Sequence, residues 1–135
     1  MILGFDFGMK YIGVATGQTI TKTATPLTCL RAVDGIPDWD EIQTLITAWK
    51  PSTLIVGSPM QTDGPARQIT FSIQKFANRL QHRYQIPVIL VHEHLSTWEA
   101  KQQIISSSAK LNSKQLAEIN AKAAAIILEQ WLQDQ

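Results

Sequence analysis

The chain opens on two short, largely apolar runs. Residues 2–8 (Ile-Leu-Gly-Phe-Asp-Phe-Gly) and 11–17 (Tyr-Ile-Gly-Val-Ala-Thr-Gly) read as two strands joined by a tight turn around Gly8 and Met9. A weaker, Thr-rich strand covers 22–31, and Pro26 inside it marks an edge or a bend, because proline gives no amide to a ladder. Asp38 then caps a helix to about Lys50, with Asp40 and Glu41 in the first turn, where the helix dipole favours acids, and Pro51 stops it. Thr53–Gly57 is a short apolar run, read as a buried strand. The period then changes. Ile69, Ile73, Phe76, Leu80 and Tyr84 recur at three- and four-residue steps, which makes one apolar face of a helix over 65–84. Val88–Val91 reads as a second buried strand. Ser96 and Glu99 have capping-box spacing and open a helix from Thr97 to about Ser106; Ser113 opens the last, to about Leu132. A meander followed by alternating strands and helices predicts an α/β fold: a mixed sheet with helices on its faces.

Composition narrows the class. The chain has 135 residues, 44% apolar and 17% charged, which suits one folded domain over 1–135. Twelve Lys+Arg against eleven Asp+Glu leave a net charge of +1, so bulk charge does not capture a polyanion. A local patch still can. Residues 64–135 carry eight of the twelve basic side chains. The single cysteine, Cys29, lies in the apolar run Leu27–Leu30 and reads as core. Asp6 interrupts the apolar N-terminus and no basic leader precedes it, so no signal peptide is expected. No apolar run approaches the roughly 20 residues of a membrane span.

The candidate chemistry starts at Asp6. An acid in an apolar strand is costly to bury alone, and Gly8 and Gly13 let backbone approach closely. The bland alternative is an acid at a strand end bonded to a turn amide. Glu93 directly follows the apolar run Val88–Val91, and ligands bind at the C-terminal ends of strands in open α/β sheets. Alternation puts His92 and His94 on one face and Glu93 on the other; two histidines without a third ligand are a weak metal signal. Glu99 is explained by its capping box, and Asp63-Gly64 by turn chemistry. Lys75, Arg79 and Arg83 form a ridge at four-residue spacing, either a solvated face or a phosphate-tracking patch. Two acids on neighbouring strands repel by roughly 4 kcal/mol at 4 Å, and a divalent cation between them reverses that sign. Mg²⁺, with Mn²⁺ as an alternative, suits carboxylate oxygens and phosphoryl chemistry.

These residues resemble a known family. Gly-Phe-Asp6-Phe-Gly8-Met-Lys10-Tyr-Ile-Gly13 resembles the first motif of the YqgF family of bacterial Holliday junction resolvases, also described as pre-16S ribosomal RNA nucleases. Leu54–Met60 with Asp63-Gly64 resembles the second block, Glu93–Ala100 the third, and Ala123–Glu129 the fourth. The likeness runs over essentially the whole chain in order. It implies an RNase H-like fold: a five-stranded mixed sheet, made of a three-strand antiparallel meander plus two parallel strands, flanked by helices. It implies a cytoplasmic, divalent-metal nuclease acting on structured RNA or branched DNA as a monomer or homodimer. The family's first two acids map to Asp6 and Glu93. Its third maps to Asn120, which keeps a ligand-capable oxygen but no charge. Lys10 and Thr97, with Lys75, Arg79 and Arg83, are the candidate phosphate contacts.

The sequence departs from the family at three positions. Besides Asn120, His92 stands where the family usually has an acid and His94 where it has an Arg. Around Asn120, the helical neighbours Leu116, Ala117, Ala123 and Ala124 supply no charge, and Glu118 points elsewhere. Two readings follow beside precursor-RNA cleavage: a junction resolvase, or a catalytically weakened nucleic-acid-binding factor. The spacing Asp-x-Gly-x-x-x-x-Gly also resembles the phosphate loop of actin-like ATPases, whose second domain this length does not accommodate.

Overall fold

Ile2–Asp6 (β1) lies inside the sheet, and its alternation decides which helix goes where. In the computed structural model, which describes residues 1–59, 65–93 and 112–135 and the side chains of 1–57, 71–91 and 112–135, β1 pairs antiparallel with Tyr11–Gln18 (β2). β2 pairs antiparallel with Thr23–Val33 (β3), which closes the expected meander. On its other side β1 pairs parallel with Thr53–Pro59 (β5), and β5 pairs parallel with Val88–Glu93 (β6). Ile36–Pro37 (β4) pairs with the end of β3, so the order is β4-β3-β2-β1-β5-β6. The helices are Trp39–Trp49 (α1), Pro65–Tyr84 (α2) and Ser113–Gln133 (α3).

The sheet has six strands where five are expected. The extra one, β4, is two residues long and hangs on a turn. Asp34 and Gly35 both have positive φ, 53° and 79°, between the paired residues Val33 and Ile36. That is the backbone of a type I′ hairpin, whose preferred sequence is Asn-Gly or Asp-Gly. Other boundaries match the sequence reading closely. Asp38 Oδ1 accepts the amide of Asp40 at 3.0 Å, and α1 ends on Lys50 in a left-handed conformation ahead of Pro51. Beside Pro26 the β2–β3 register slips: Val14 faces Thr28 but Ala15 faces Pro26, a bulge where a bend is expected. The cap of α3 is Asn112, with reciprocal bonds to Gln115 (Gln115 N to Asn112 Oδ1 2.8 Å, Asn112 N to Gln115 Oε1 3.1 Å). The expected Thr97–Ser106 helix, the Ser96–Glu99 capping box and the Asp63-Gly64 turn lie outside the described residues.

Leu3, Phe5, Val14, Leu54 and Val56 face α1 and α2 and form the larger core with Ile42, Ile73, Phe76 and Leu80. Phe76 is its hub, edge-on to Phe5 at 5.7 Å and stacked on Trp39 at 6.0 Å between centroids. The opposite face carries Ile2, Ala15 and Ile55 and packs on Ala124, Leu128 and Leu132 of α3. Cys29 is a correction: it is half-buried, not core. Among the described residues its strand has no paired strand on the outer side from Thr23 to Arg31, since β4 reaches only Ala32 and Val33.

Candidate functional site

Asp6 ends β1 on the face covered by α3. It is 1% exposed, although its neighbours in the alternation are apolar. Its partner across the antiparallel pair is Gly13, and its partner across the parallel pair is Gly57. Directly opposed residues share a face of the sheet, so the Asp6 carboxylate lies in a slot with no side chain on either flanking strand. The sequence reading singled out Gly13 but not Gly57. Its signal was present: Gly57 closes the apolar run of β5 at the C-terminal edge, where a glycine in a strand interior marks close approach.

α3 lies over this slot because the glycines let it. A Cβ on Gly13 would collide with the carbonyl oxygen of Asn120, so helix backbone rests directly on strand backbone there. A Cβ on Gly57 would stand 2.8 Å from Ile127 Cδ1. Asn120 itself is 2% exposed. Its Nδ2 donates to the carbonyl of Leu116 at 2.8 Å. A carbonyl can only accept, so this bond fixes which end of the amide is which and leaves Oδ1 as its acceptor end. Gly13→Ala should therefore move α3 off the slot. We expect a loss of about 3 kcal/mol in urea unfolding, the upper end for overpacking, together with loss of any function that needs position 120 beside Asp6.

Glu93 enters by register. Val91 is level with Gly57 and hence with Asp6; Glu93 is level with Pro59, one alternation further on. Position 93 thus has the parity of Asp6 at the same sheet edge, two strands away. Strand spacing and rise put the two Cα atoms about 12 Å apart. Lys10 is exposed in the turn that follows β1 at that edge, and its carbonyl accepts the amide of Ala32 at 2.8 Å. Thr97 and His94 lie outside the described residues, and His92 is described only as backbone, paired with Ser58. Among the described residues no three His, Cys, Asp or Glu gather into a metal-binding group. The arrangement instead brings together one buried carboxylate, one buried amide oxygen and, by backbone register, one further acid position.

The basic ridge lies elsewhere. Lys75, Arg79 and Arg83 are exposed on α2, which packs on the opposite face of the sheet from α3. Arg83 is already engaged: its guanidinium lies 4.4 Å from the centre of the Trp39 ring. Lys75 and Arg79 line a cleft of about 110 Å³ between α2 and the Asp34-Gly35 turn.

A mixed sheet with a meander, two parallel crossover strands, and a buried acid on the first strand under the last helix defines an RNase H-like domain of the resolvase type. Its fold matches RuvC of Thermus thermophilus: the chain bound to a Holliday junction substrate aligns with a TM-score of 0.57 and 13% identity over 98% of this chain and 93% of that one. A second Thermus thermophilus RuvC structure gives 0.52 and 12%, covering 98% and 94%. The chain belongs to the RuvX family of Holliday junction resolvases, whose model matches residues 1–134. Among its relatives is a Coxiella burnetii protein named "Putative pre-16S rRNA nuclease", 47% identical over 98% of this chain and 92% of its own. Proteins with the same name from Legionella pneumophila (47%, covering 97% and 94%) and Sodalis glossinidius (42%, covering 98% and 93%) agree. The chain is thus a member of a nuclease family, and that membership implies a divalent metal.

Proposed function

We propose that this protein is a cytoplasmic nuclease that hydrolyses phosphodiester bonds in precursor 16S ribosomal RNA, during 5′-end processing. The observation that carries this reading is the buried Asp6 carboxylate in its glycine-flanked slot, at the strand edge where Glu93 ends β6. The relatives' shared name supports the substrate.

The donor set fits a hard divalent cation. Asp6 supplies charge, Asn120 Oδ1 a neutral oxygen, and Glu93 a second carboxylate from a position that suits sharing a site with Asp6 rather than touching it. All are oxygen ligands, as Mg²⁺ or Mn²⁺ prefers. When bound, such a metal activates water and stabilises the developing charge of an in-line phosphoryl displacement. The chain's own residues do the rest. Asp6 is held rigid by two ladders, so its carboxylate is placed without rearrangement. The Leu116 carbonyl holds the Asn120 amide by its nitrogen, which leaves its oxygen as the end that would take a cation. Lys10, exposed on the turn after β1, offers a cation to a phosphate at the rim. Trimming an RNA end needs one copy of this site, whereas cutting both strands of a junction needs a symmetric dimer.

Incubation with a 16S precursor carrying its 5′ leader tests this, with a four-way DNA junction beside it and Mg²⁺ or chelator in each. We expect Mg²⁺-dependent cleavage of the RNA and little of the junction. The reverse preference would make the protein a resolvase. One observation favours a second reading, a nucleic-acid-binding factor with weak chemistry: position 120 is an amide. Tight RNA binding with no cleavage in either metal would establish it.

A further inference from the structure

Phe71 is 63% exposed on α2, one turn before Lys75. Phe71, Lys75 and Arg79 therefore form one ridge at four-residue steps, with successive members about 6 Å apart along the helix. A large aromatic facing water beside cations is an unusual use of a helix surface, because it forgoes the gain that a Phe makes by burial. Ile73, Phe76 and Leu80 make the buried face of the helix, and Phe71 lies off that face. Arg83 continues the ridge in sequence but stacks on Trp39, so among the described residues Lys75 and Arg79 are the ridge cations without such a contact.

The head of the ridge is at the catalytic edge. α2 follows the C-terminal end of β5, and Ser72, next to Phe71, packs at the Asp34-Gly35 turn. A Cβ on Gly35 would stand 2.9 Å from Phe7 Cζ, 3.3 Å from Met9 Sδ and 3.6 Å from Ser72 Cβ. Phe7 and Met9 belong to the segment that leaves Asp6, and exposed Lys10 follows them. A chain crossing the sheet edge from Asp6 over Lys10 thus arrives at Phe71. From there the cleft walled by Lys75, Arg79, Trp39 and the Asp34-Gly35 turn leads away down α2. One acid, Asp34, faces two cations in that cleft, so its balance is positive.

We propose that this ridge is the track for a single-stranded flank of the substrate: an unstacked base on Phe71 and backbone phosphates on Lys75 and Arg79. The inference rests on the nuclease reading above and adds to it where the uncut strand goes. A duplex hides its base faces, so an aromatic platform next to cations selects single strands. It suits an RNA end with an unpaired leader better than a fully paired junction arm.

Fluorescence anisotropy in chelator separates this binding from cleavage. The probes are a short labelled single-stranded RNA, a blunt RNA duplex of the same sequence, and the matching single-stranded DNA. We expect Phe71→Ala to weaken the single-stranded RNA about tenfold and leave the duplex within about twofold. Lys75→Gln with Arg79→Gln should lower the salt slope of single-strand binding by about 1.4, near 0.7 for each phosphate contact. Equal loss on single-stranded DNA would show that the platform reads base faces irrespective of the sugar, and supports the track; loss on RNA alone supports it with a sugar contact added. All three side chains are exposed, so melting temperatures should stay at the wild-type value. Unchanged single-strand affinity and slope in variants of a protein that still cleaves precursor RNA would overturn the track and spare the nuclease. Equal loss on the duplex would also overturn it. Wild-type protein that cleaves precursor RNA but does not bind the single-stranded probe overturns the track alone, and failure to cleave as well overturns both.

Discussion

Replacing Asp6 by Asn will abolish cleavage and leave the fold intact. The two side chains have nearly the same volume, so the slot between Gly13 and Gly57 stays filled and α3 keeps its seat. What disappears is the charge. A buried carboxylate is unfavourable by itself and is retained only where something needs it negative. The amide keeps the shape and one acceptor oxygen of the side chain, so urea unfolding in chelator should stay within about 1.5 kcal/mol of the wild type. Cleavage should behave in the opposite way. Losing the charged ligand of a divalent ion removes several kcal/mol of transition-state stabilisation, or about a thousandfold or more in rate. The measurement is single-turnover cleavage of precursor RNA beside an unfolding curve. A variant that unfolds like the wild type and still cuts at the wild-type rate would remove Asp6 from the mechanism. Loss of stability and activity together would make Asp6 a structural acid, the bland alternative.

Much of this site was legible in the sequence, for reasons that can be named. Asp6 stood out because it breaks an apolar alternation, and burial on the α3 face is what that break means. Glu93 stands out because it ends an apolar run, and backbone register puts position 93 at the sheet edge where Asp6 ends β1. The position of α3 was not legible from periodicity, because what decides it is absence of side chains. Gly4, Gly13, Gly17 and Gly57 all meet residues of α3, and a glycine gives no hydrophobic signal. The Asp34-Gly35 hairpin was missed because its second strand has only two residues, too few for alternation to register; the dipeptide itself was the cue. Phe71 falls outside the apolar face of Ile69, Ile73, Phe76, Leu80 and Tyr84, so that period gives it no role. Its four-residue spacing from Lys75 assigns it instead to the ridge of cations. Both oversights concern side chains whose meaning depends on a neighbour rather than on a period.

Asn120→Asp is the sharper test of what the amide at that position does, because it should move stability and metal affinity in opposite directions. The Nδ2 donation to Leu116 is lost when the new group ionises, and a second carboxylate enters a buried position on the helix that rests on Gly13, the strand partner of Asp6. In chelator we expect the variant to be less stable than the wild type by about 3 kcal/mol at neutral pH, the sum of a missing hydrogen bond and a buried charge. The sign with pH follows. Burial and the neighbouring acid raise the new carboxyl above its ordinary range near about 4, so the folded state holds the proton more tightly than the unfolded state. The penalty is then absent below that range, where the protonated group can still donate to Leu116, and it grows as pH rises through and above it. A divalent ion reverses the order. An added charged ligand should tighten Mg²⁺ or Mn²⁺ roughly ten- to a hundredfold, and mass action then returns stability to the variant as metal is titrated in. Melting curves across metal concentration read both effects at once: a variant that starts below the wild type and gains more. Cleavage should rise with the affinity. A variant destabilised alike with and without metal, and no faster, places position 120 outside the metal site and leaves Asn120 as a helix-to-sheet contact over Gly13.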